Sequence, residues 1–382
     1  MADLVLRFPN HVVFGPDVVN RLGQLTAELT DRCLIFTESV LAGNGTIEHV
    51  ENVLDRRGIS SIIHDDIGPG STTKGLEKLV AVARASHTGA IIGIGGMRVL
   101  AAARIVSAAA GTDAVLDDVL TGRAVRAKRI PYIEVPSSYR NHFMLKDQCL
   151  VTDGATNHPR LIQLPAGTTH AVVVDPNLTF SMSPKYAAAA MLDTFLAAVE
   201  AYISIRSSFL SDTLLLEAIK HLAGALEGIT ETPSDPKHRL RASQAGVMTA
   251  LALSSSSQGI GGALAYTINS MYTLPKSWIA TVLLPHVLDT TVLARPDKLK
   301  RVAHALGEEV RELTPTEAAH QASAAVRRMI GVLELPGRLR EMDLAIDDLV
   351  EVSEIAASLE MSASSPVPHT ANDLYDLVKL AY

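Results

Sequence analysis

The sequence predicts an α/β class protein of two domains: a parallel-sheet domain over residues 1–180 and an all-helical domain over residues 181–382. Three observations predict it. Short apolar runs alternate with helical stretches of about a dozen residues in the first half, the pattern of a parallel sheet with crossovers. From Ser183 onward every periodic segment reads as helix. The length of 382 residues is enough for two domains, each with its own core.

In order, Arg32–Thr37 reads as a buried strand because its apolar residues run on without alternation. A helix follows over Ile47–Arg57, then a strand over Ser60–His64 and a helix over Lys74–Ser86. Ala90–Ile94 is a strand ending in glycines, Val99–Ala110 a helix, Tyr132–Val135 a strand stopped by Pro136, and Ala171–Val174 the last strand. In the second half, Pro184–Ser204 is apolar on nearly all faces, which marks a buried helix. Helices over Asp212–Glu227, Leu240–Ser254, Asp297–Leu306, Pro315–Leu333, Asp347–Leu359 and Ala371–Leu380 complete the set.

Composition narrows the function classes. A formal charge of −7 leaves no basic field for nucleic acid. Two unclustered cysteines, Cys33 and Cys149, exclude a disulfide scaffold and a cysteine zinc site and fit a reducing cytosol. The opening residues lack the basic and apolar regions of a signal peptide. No apolar run reaches the ~20 residues of a membrane span. The expectation is a cytoplasmic protein, a homodimer, with a small-molecule substrate and neither nucleic-acid nor membrane partners. The cleft between the two domains is the expected ligand site.

Several segments, in order along nearly the whole chain, resemble the iron-type alcohol dehydrogenase superfamily that includes the maleylacetate reductases. They are Val-Val-Phe-Gly-Pro at 12–16, Ile-Gly-Ile-Gly-Gly-Met at 92–97, Val-Pro-Ser-Ser-Tyr at 135–139 and Val-Asp-Pro-Asn-Leu-Thr at 174–179. Leu192-Asp193 with Val-Glu-Ala-Tyr at 199–202 resembles the first metal-binding helix. Gly259-Ile260, Ala263-Leu264, Pro275 and Leu-Leu-Pro-His-Val at 283–287 resemble the second. The resemblance implies a Rossmann-like domain followed by an all-α domain, the dehydroquinate synthase-like fold.

It also implies a divalent iron or zinc held by one Asp and three His, polarising the substrate oxygen. Here the Asp is Asp193, but the imidazole positions read Ala197, Gly262 and Lys276, and a further family His is Tyr266. One carboxylate without imidazoles does not hold such a metal, so no iron or zinc is expected. A shifted register would instead recruit His221, His286 or His369, against the anchors Pro275 and Leu284-Pro285-His286.

For the cofactor, Gly93, Gly95 and Gly96 keep part of a turn whose N–H groups meet a pyrophosphate. Met97 and Arg98 replace a small pair, and Arg104 stands where the family has Lys. Ser137 and Ser138 begin the loop that touches phosphate and nicotinamide, and Tyr139, Arg140, Asn141, His142, Phe143 and Met144 continue it with bulky groups. Glu38 follows the first buried strand, where the family places an acid against the adenine ribose that favours NAD over NADP, or where it is simply a solvated loop charge. NAD(P) binding is therefore expected to be weakened.

Arg98, Tyr139, Arg140, His142, Asp193, Tyr266 and Lys276 are the expected cleft lining. Arg98 and Arg140 would bind a carboxylate or phosphate, and Lys276, Tyr266 or His142 would serve as acid or base. Lys276 and Asp193 are expected within salt-bridge reach, either as catalytic groups or as a structural pair. Arg239 and Arg241 read as a solvated face, and Cys149 as a buried structural thiol. The leading expectation is a metal-independent enzyme doing acid–base chemistry on a small oxygenated metabolite, a dehydration, isomerisation or cyclisation in specialised biosynthesis. Two alternatives stand beside it: an NAD(P)-dependent alcohol dehydrogenase or reductase with Lys276 or Tyr266 as electrophile, and a non-catalytic binding protein on the same fold.

Overall fold

The computed structural model describes residues 6–68, 72–111, 115–123 and 129–382. The first five residues, on which the signal-peptide reading partly rests, lie outside the described residues. Two compact units divide the described residues, Arg7–Met182 and Ser183–Tyr382, the latter joined by Leu6.

In the first unit six strands form one parallel sheet. They are β1 (His11–Phe14), β2 (Arg32–Phe36), β3 (Ser60–His64), β4 (Ala90–Gly95), β5 (Tyr132–Pro136) and β8 (Thr169–Val174), in the spatial order β1-β8-β5-β4-β2-β3. Burial explains the order. Every residue of β4 and β5 is buried, as continuous apolar runs require at the centre of a covered sheet. The edge strands β1 and β3 keep partly exposed positions. Alternate residues of β2 feed two cores: Leu34 and Phe36 lie on one face with Tyr132 and Cys149, whereas Cys33 and Ile35 lie on the other with Ile133 and Val173. Burial pushes both thiols up to about 12, as inert structural cysteines require. Helices α1 (Leu22–Ala27), α2 (Ser39–Gly43), α3 (Thr46–Asp55), α4 (Thr73–Ser86), α5 (Met97–Ala110) and α6 (Leu116–Leu120) complete the unit with a hairpin.

That hairpin, β6 (Gln148–Thr152) paired antiparallel to β7 (Pro159–Gln163), is absent from the sequence reading. Its turn rests on Asp153, whose Oδ1 accepts from the N–H of Ala155 at 2.9 Å and of Thr156 at 3.3 Å. Cys149 and Val151 face inward at period two, the alternation that marks the strand.

The second unit is helical: α7 (Pro184–Ile203), α8 (Phe209–Glu231), α9 (Pro236–Leu253), α10 (Ile260–Tyr272), α11 (Lys276–Thr291), α12 (Pro296–Ala305), α13 (Pro315–Val332), α14 (Asp348–Ser358) and α15 (Ala371–Ala381). Helix α7 packs against α8, α9, α10, α11 and α12, which is why it is apolar all round. By length and composition alone α7 could cross a membrane, a correction to the reading of apolar runs; it is almost wholly buried in the protein. The segment read as one second metal helix is two helices. Thr273 turns left-handed at φ 57° and Pro275 cannot continue a helix, so the chain breaks between α10 and α11. Asn269 Nδ2 closes the break by donating to Leu274 O at 2.5 Å.

Candidate active site

The glycine turn joins β4 to α5. Gly95 sits at φ +156°, and a Cβ there would approach Val99 to 3.1 Å, so a side chain at this turn would be strained. Gly96 caps α5, and its N–H donates to Glu38 Oε1 at 3.2 Å, a carboxylate at the positive end of a helix. Ser137 N–H donates to Gly95 O at 3.0 Å, tying the serine loop to the turn. Ser138 Oγ is buried and has no hydrogen-bond partner among the described residues, an orphan that a bound phosphate or amide would satisfy. Bare glycines, an amide at a helix N-terminus, an orphan hydroxyl and an acid at the end of β2 fit a dinucleotide. Arg98 is exposed on the first turn of α5, whereas Tyr139 and His142 are buried. Arg140 is half-buried.

Behind the turn lies a buried ion pair that the sequence reading missed in part. Arg104, on α5, meets the carboxylate of Glu134 in the middle of β5. The guanidinium also donates to the carbonyls of Phe143 at 2.8 Å, Lys146 at 3.0 Å and Gln148 at 3.0 Å. It therefore pins the loop from the serines to β6. Burial pushes the Glu134 carboxyl above its ordinary value against the opposing pull of Arg104. A cavity of about 30 Å³ beside the pair, lined by Met97, Leu100, Asn141 and Phe143, has room for about one water.

In the helical unit, Lys276 begins α11 and its ammonium donates to Asp193 Oδ1 on α7; the two side chains are 4% and 0% exposed. The Lys276 Nζ lies 4.3 Å from the centre of the Tyr266 ring, within cation–π reach. Two turns along α7 from Asp193, buried Glu200 accepts the N–H of Gly261 at 2.6 Å and of Gly262 at 2.9 Å at the start of α10. Burial raises the Glu200 carboxyl above its ordinary value, opposed by these amides and by the charge of Lys276. A Cβ on Gly262 would stand 2.9 Å from Gln258 Oε1, so the position has no room for an imidazole as the residues stand. Ala197 brings no donor, and Lys276 already engages Asp193. The residues present do not fit the divalent metal that the resemblance implies, and among the described residues no group of three His, Cys, Asp or Glu is placed to hold one.

The structure thus brings Asp193, Lys276 and Tyr266 together in one unit, and Glu38, Gly95, Gly96, Ser137 and Ser138 in the other. Arg239 is buried, not on the solvated face expected for it, while Arg241 is exposed. Glu134 and Glu200 escaped the sequence reading. The available signal was an acid inside an otherwise apolar strand and helix, since a charge is buried only where something compensates it.

The chain matches the family model of iron-containing alcohol dehydrogenases over residues 9–176 and that family's C-terminal model over residues 187–382. It is 26% identical to long-chain-alcohol dehydrogenase 1 of Geobacillus thermodenitrificans, covering 100% of this chain and 97% of the relative. It is 23% identical to 1,3-propanediol dehydrogenase of Klebsiella pneumoniae, over 98% and 97%. The fold is similar to that of a solved 1,3-propanediol oxidoreductase, with TM-score 0.93 at 22% identity over 100% of both chains. It is also similar to sulfoacetaldehyde reductase from Bifidobacterium kashiwanohense in complex with NAD+, with TM-score 0.87 at 17% identity over 100% and 99%.

Proposed function

We propose, since this chain belongs to the iron-containing alcohol dehydrogenase family, that it is a nicotinamide-dependent oxidoreductase interconverting a small alcohol and its carbonyl compound. The relatives are named as dehydrogenases and reductases, which favours this reading over the dehydration, isomerisation or cyclisation expected from the sequence. The observation that carries it is the β4–α5 turn: Gly96 N–H already holds an anionic group, the Glu38 carboxylate, and the loop tied to the turn through Ser137 carries the orphan Ser138 Oγ.

In this reading the start of α5 would hold the pyrophosphate, Ser138 Oγ would donate to the dinucleotide, and Glu38, seated on the Gly96 N–H, would bind the ribose 2′-hydroxyl with its other oxygen. An acid there disfavours a 2′-phosphate, so NAD(H) is the expected cofactor. When bound, the cofactor supplies or accepts a hydride. The test is fluorescence titration with NADH and NADPH, followed by NADH consumption with propanal and lactaldehyde as probes. Saturable NADH binding with turnover of either probe is the expected result. No binding of either dinucleotide and no turnover would overturn the reading.

A further inference from the structure

In the α/β unit, two polar atoms of residues that line one cavity are buried without a hydrogen-bond partner. Asn141 is 6% exposed, and its Nδ2 donates to Ser138 O at 2.6 Å. A carbonyl oxygen accepts only from the nitrogen of the amide, so this bond fixes which way the group is turned. Its Oδ1 is then an acceptor, and it has no partner among the described residues. Arg104 is 3% exposed. Its Nη atoms donate to the Glu134 carboxylate and to the carbonyls of Phe143, Lys146 and Gln148, whereas its Nε is a buried donor without a partner there. Interiors seldom leave a donor and an acceptor unmet. Arg104, Asn141 and Glu134 all line the cavity of about 30 Å³, which has room for about one water.

We propose that this cavity is a binding site for one structural water, which accepts from Arg104 Nε and donates to Asn141 Oδ1, and that Asn141 is a positioning residue for the serine loop. The second hydrogen of the water is left for the Glu134 carboxylate, so the water has the three partners usual for a buried one. The bonds then run without a break from Glu134 on β5 through Arg104 and the water to Asn141, and from Asn141 Nδ2 to the carbonyl of Ser138. On the other side Ser137 N–H is tied to Gly95 O. The Ser138 residue, with its orphan hydroxyl, is thus held on both sides. An amide suits position 141 because it meets the water as an acceptor and Ser138 O as a donor, and Leu would do neither. The role of Asn141 toward the cofactor rests on the oxidoreductase reading above; the water site does not.

Two measurements test this. A high-resolution crystal structure of the full chain is expected to show one ordered water at about 2.7–3.2 Å from both Arg104 Nε and Asn141 Oδ1. A dry cavity, or a direct bond between the two side chains, would overturn the water site. The second measurement is fluorescence titration with NADH of the native protein, Asn141→Leu and Ala101→Leu, each checked for folding by urea denaturation. Ala101 is buried on α5 and lines the cavity, so a leucine there takes the place of the water and leaves Asn141 itself intact. The NADH dissociation constant of the folded protein should rise roughly tenfold in Asn141→Leu, the scale of one lost hydrogen bond, and in the same direction in Ala101→Leu. A merely structural role would lower the denaturation midpoint and leave that constant native, which would overturn the positioning role. If Asn141→Leu does not fold, Ala101→Leu decides by the same criterion. A native protein that binds no NADH would sink the oxidoreductase reading and the positioning role with it, and the crystal structure then decides the water site by itself.

Discussion

In each unit a buried cation meets a buried carboxylate, Arg104 with Glu134 and Lys276 with Asp193, and the two cations differ in donor geometry. In the α/β unit, Arg104 meets Glu134 and spends its other donors on the carbonyls of Phe143, Lys146 and Gln148. A planar guanidinium with five donors suits this task, because it satisfies several fixed acceptors at once. In the helical unit, Lys276 meets Asp193 beneath the Tyr266 ring. An ammonium is a compact point charge. The difference teaches that a fork of donors can tie a carboxylate to a loop, whereas an ammonium meets its carboxylate as a single point charge.

The sharpest way to break this contrast is through stability. Arg104→Met leaves Glu134 buried and uncompensated and removes the donor to three carbonyls, at a cost of at least about 3–5 kcal/mol. Adding Glu134→Gln should recover only part of that loss, because the carbonyls remain without the guanidinium. Urea denaturation of both variants measures it, and full recovery in the double variant would show that the staple does nothing.

Next in size, Asp193→Leu alone should cost about 3 kcal/mol by stranding the ammonium. The Asp193→Leu/Lys276→Met pair should recover nearly all of it. The same denaturation series checks this, and a double variant as unstable as the single one would erase the distinction from Arg104.

Glu200→Gln should cost about 1–3 kcal/mol, since the amide offers one acceptor oxygen where the carboxyl group offers two to the Gly261 and Gly262 N–H groups. Its pH dependence sharpens the comparison further. The folded Glu200 carboxyl lies above its unfolded value, so the folded state binds that proton more tightly. The stability it contributes is complete below the unfolded pKa and is lost as pH rises through the folded one. The gap between native and Glu200→Gln proteins should therefore narrow on going from acid to neutral pH, and denaturation midpoints across that range would detect a constant gap instead.

Smallest of all, Glu38→Ala should cost about 1 kcal/mol, the scale of a lost helix cap at Gly96. Its larger consequence is in binding: the preference for NADH over NADPH should fall, measured by fluorescence titration. An unchanged preference would leave Glu38 as a cap only.

Much of this architecture was legible in the chain. Ser60–His64 is a strand with the bounds its pattern predicts, and Ala90–Gly95 extends the expected run by one residue. Long apolar runs and all-round apolar helices carry such signals because burial on both faces removes the polar alternation. The β6–β7 hairpin escaped because five-residue strands with half-buried positions look like loop. Arg239 was misplaced because its charge says nothing of its burial.

By itself the sequence determined the alternation of strands and helices and the glycine turn; that Ala197, Gly262 and Lys276 stand where the family has metal ligands is what the resemblance implies. The reach of Lys276 to Asp193 followed from the family resemblance, not from any local pattern. Only the tertiary structure decided that Arg104 staples the loop through Glu134, that Glu38 caps Gly96 across 58 positions and that Glu200 holds the start of α10 across 61. The reason is physical: periodicity reports which face of one element is buried, whereas the partner of a buried charge is chosen by whichever distant element closes over it.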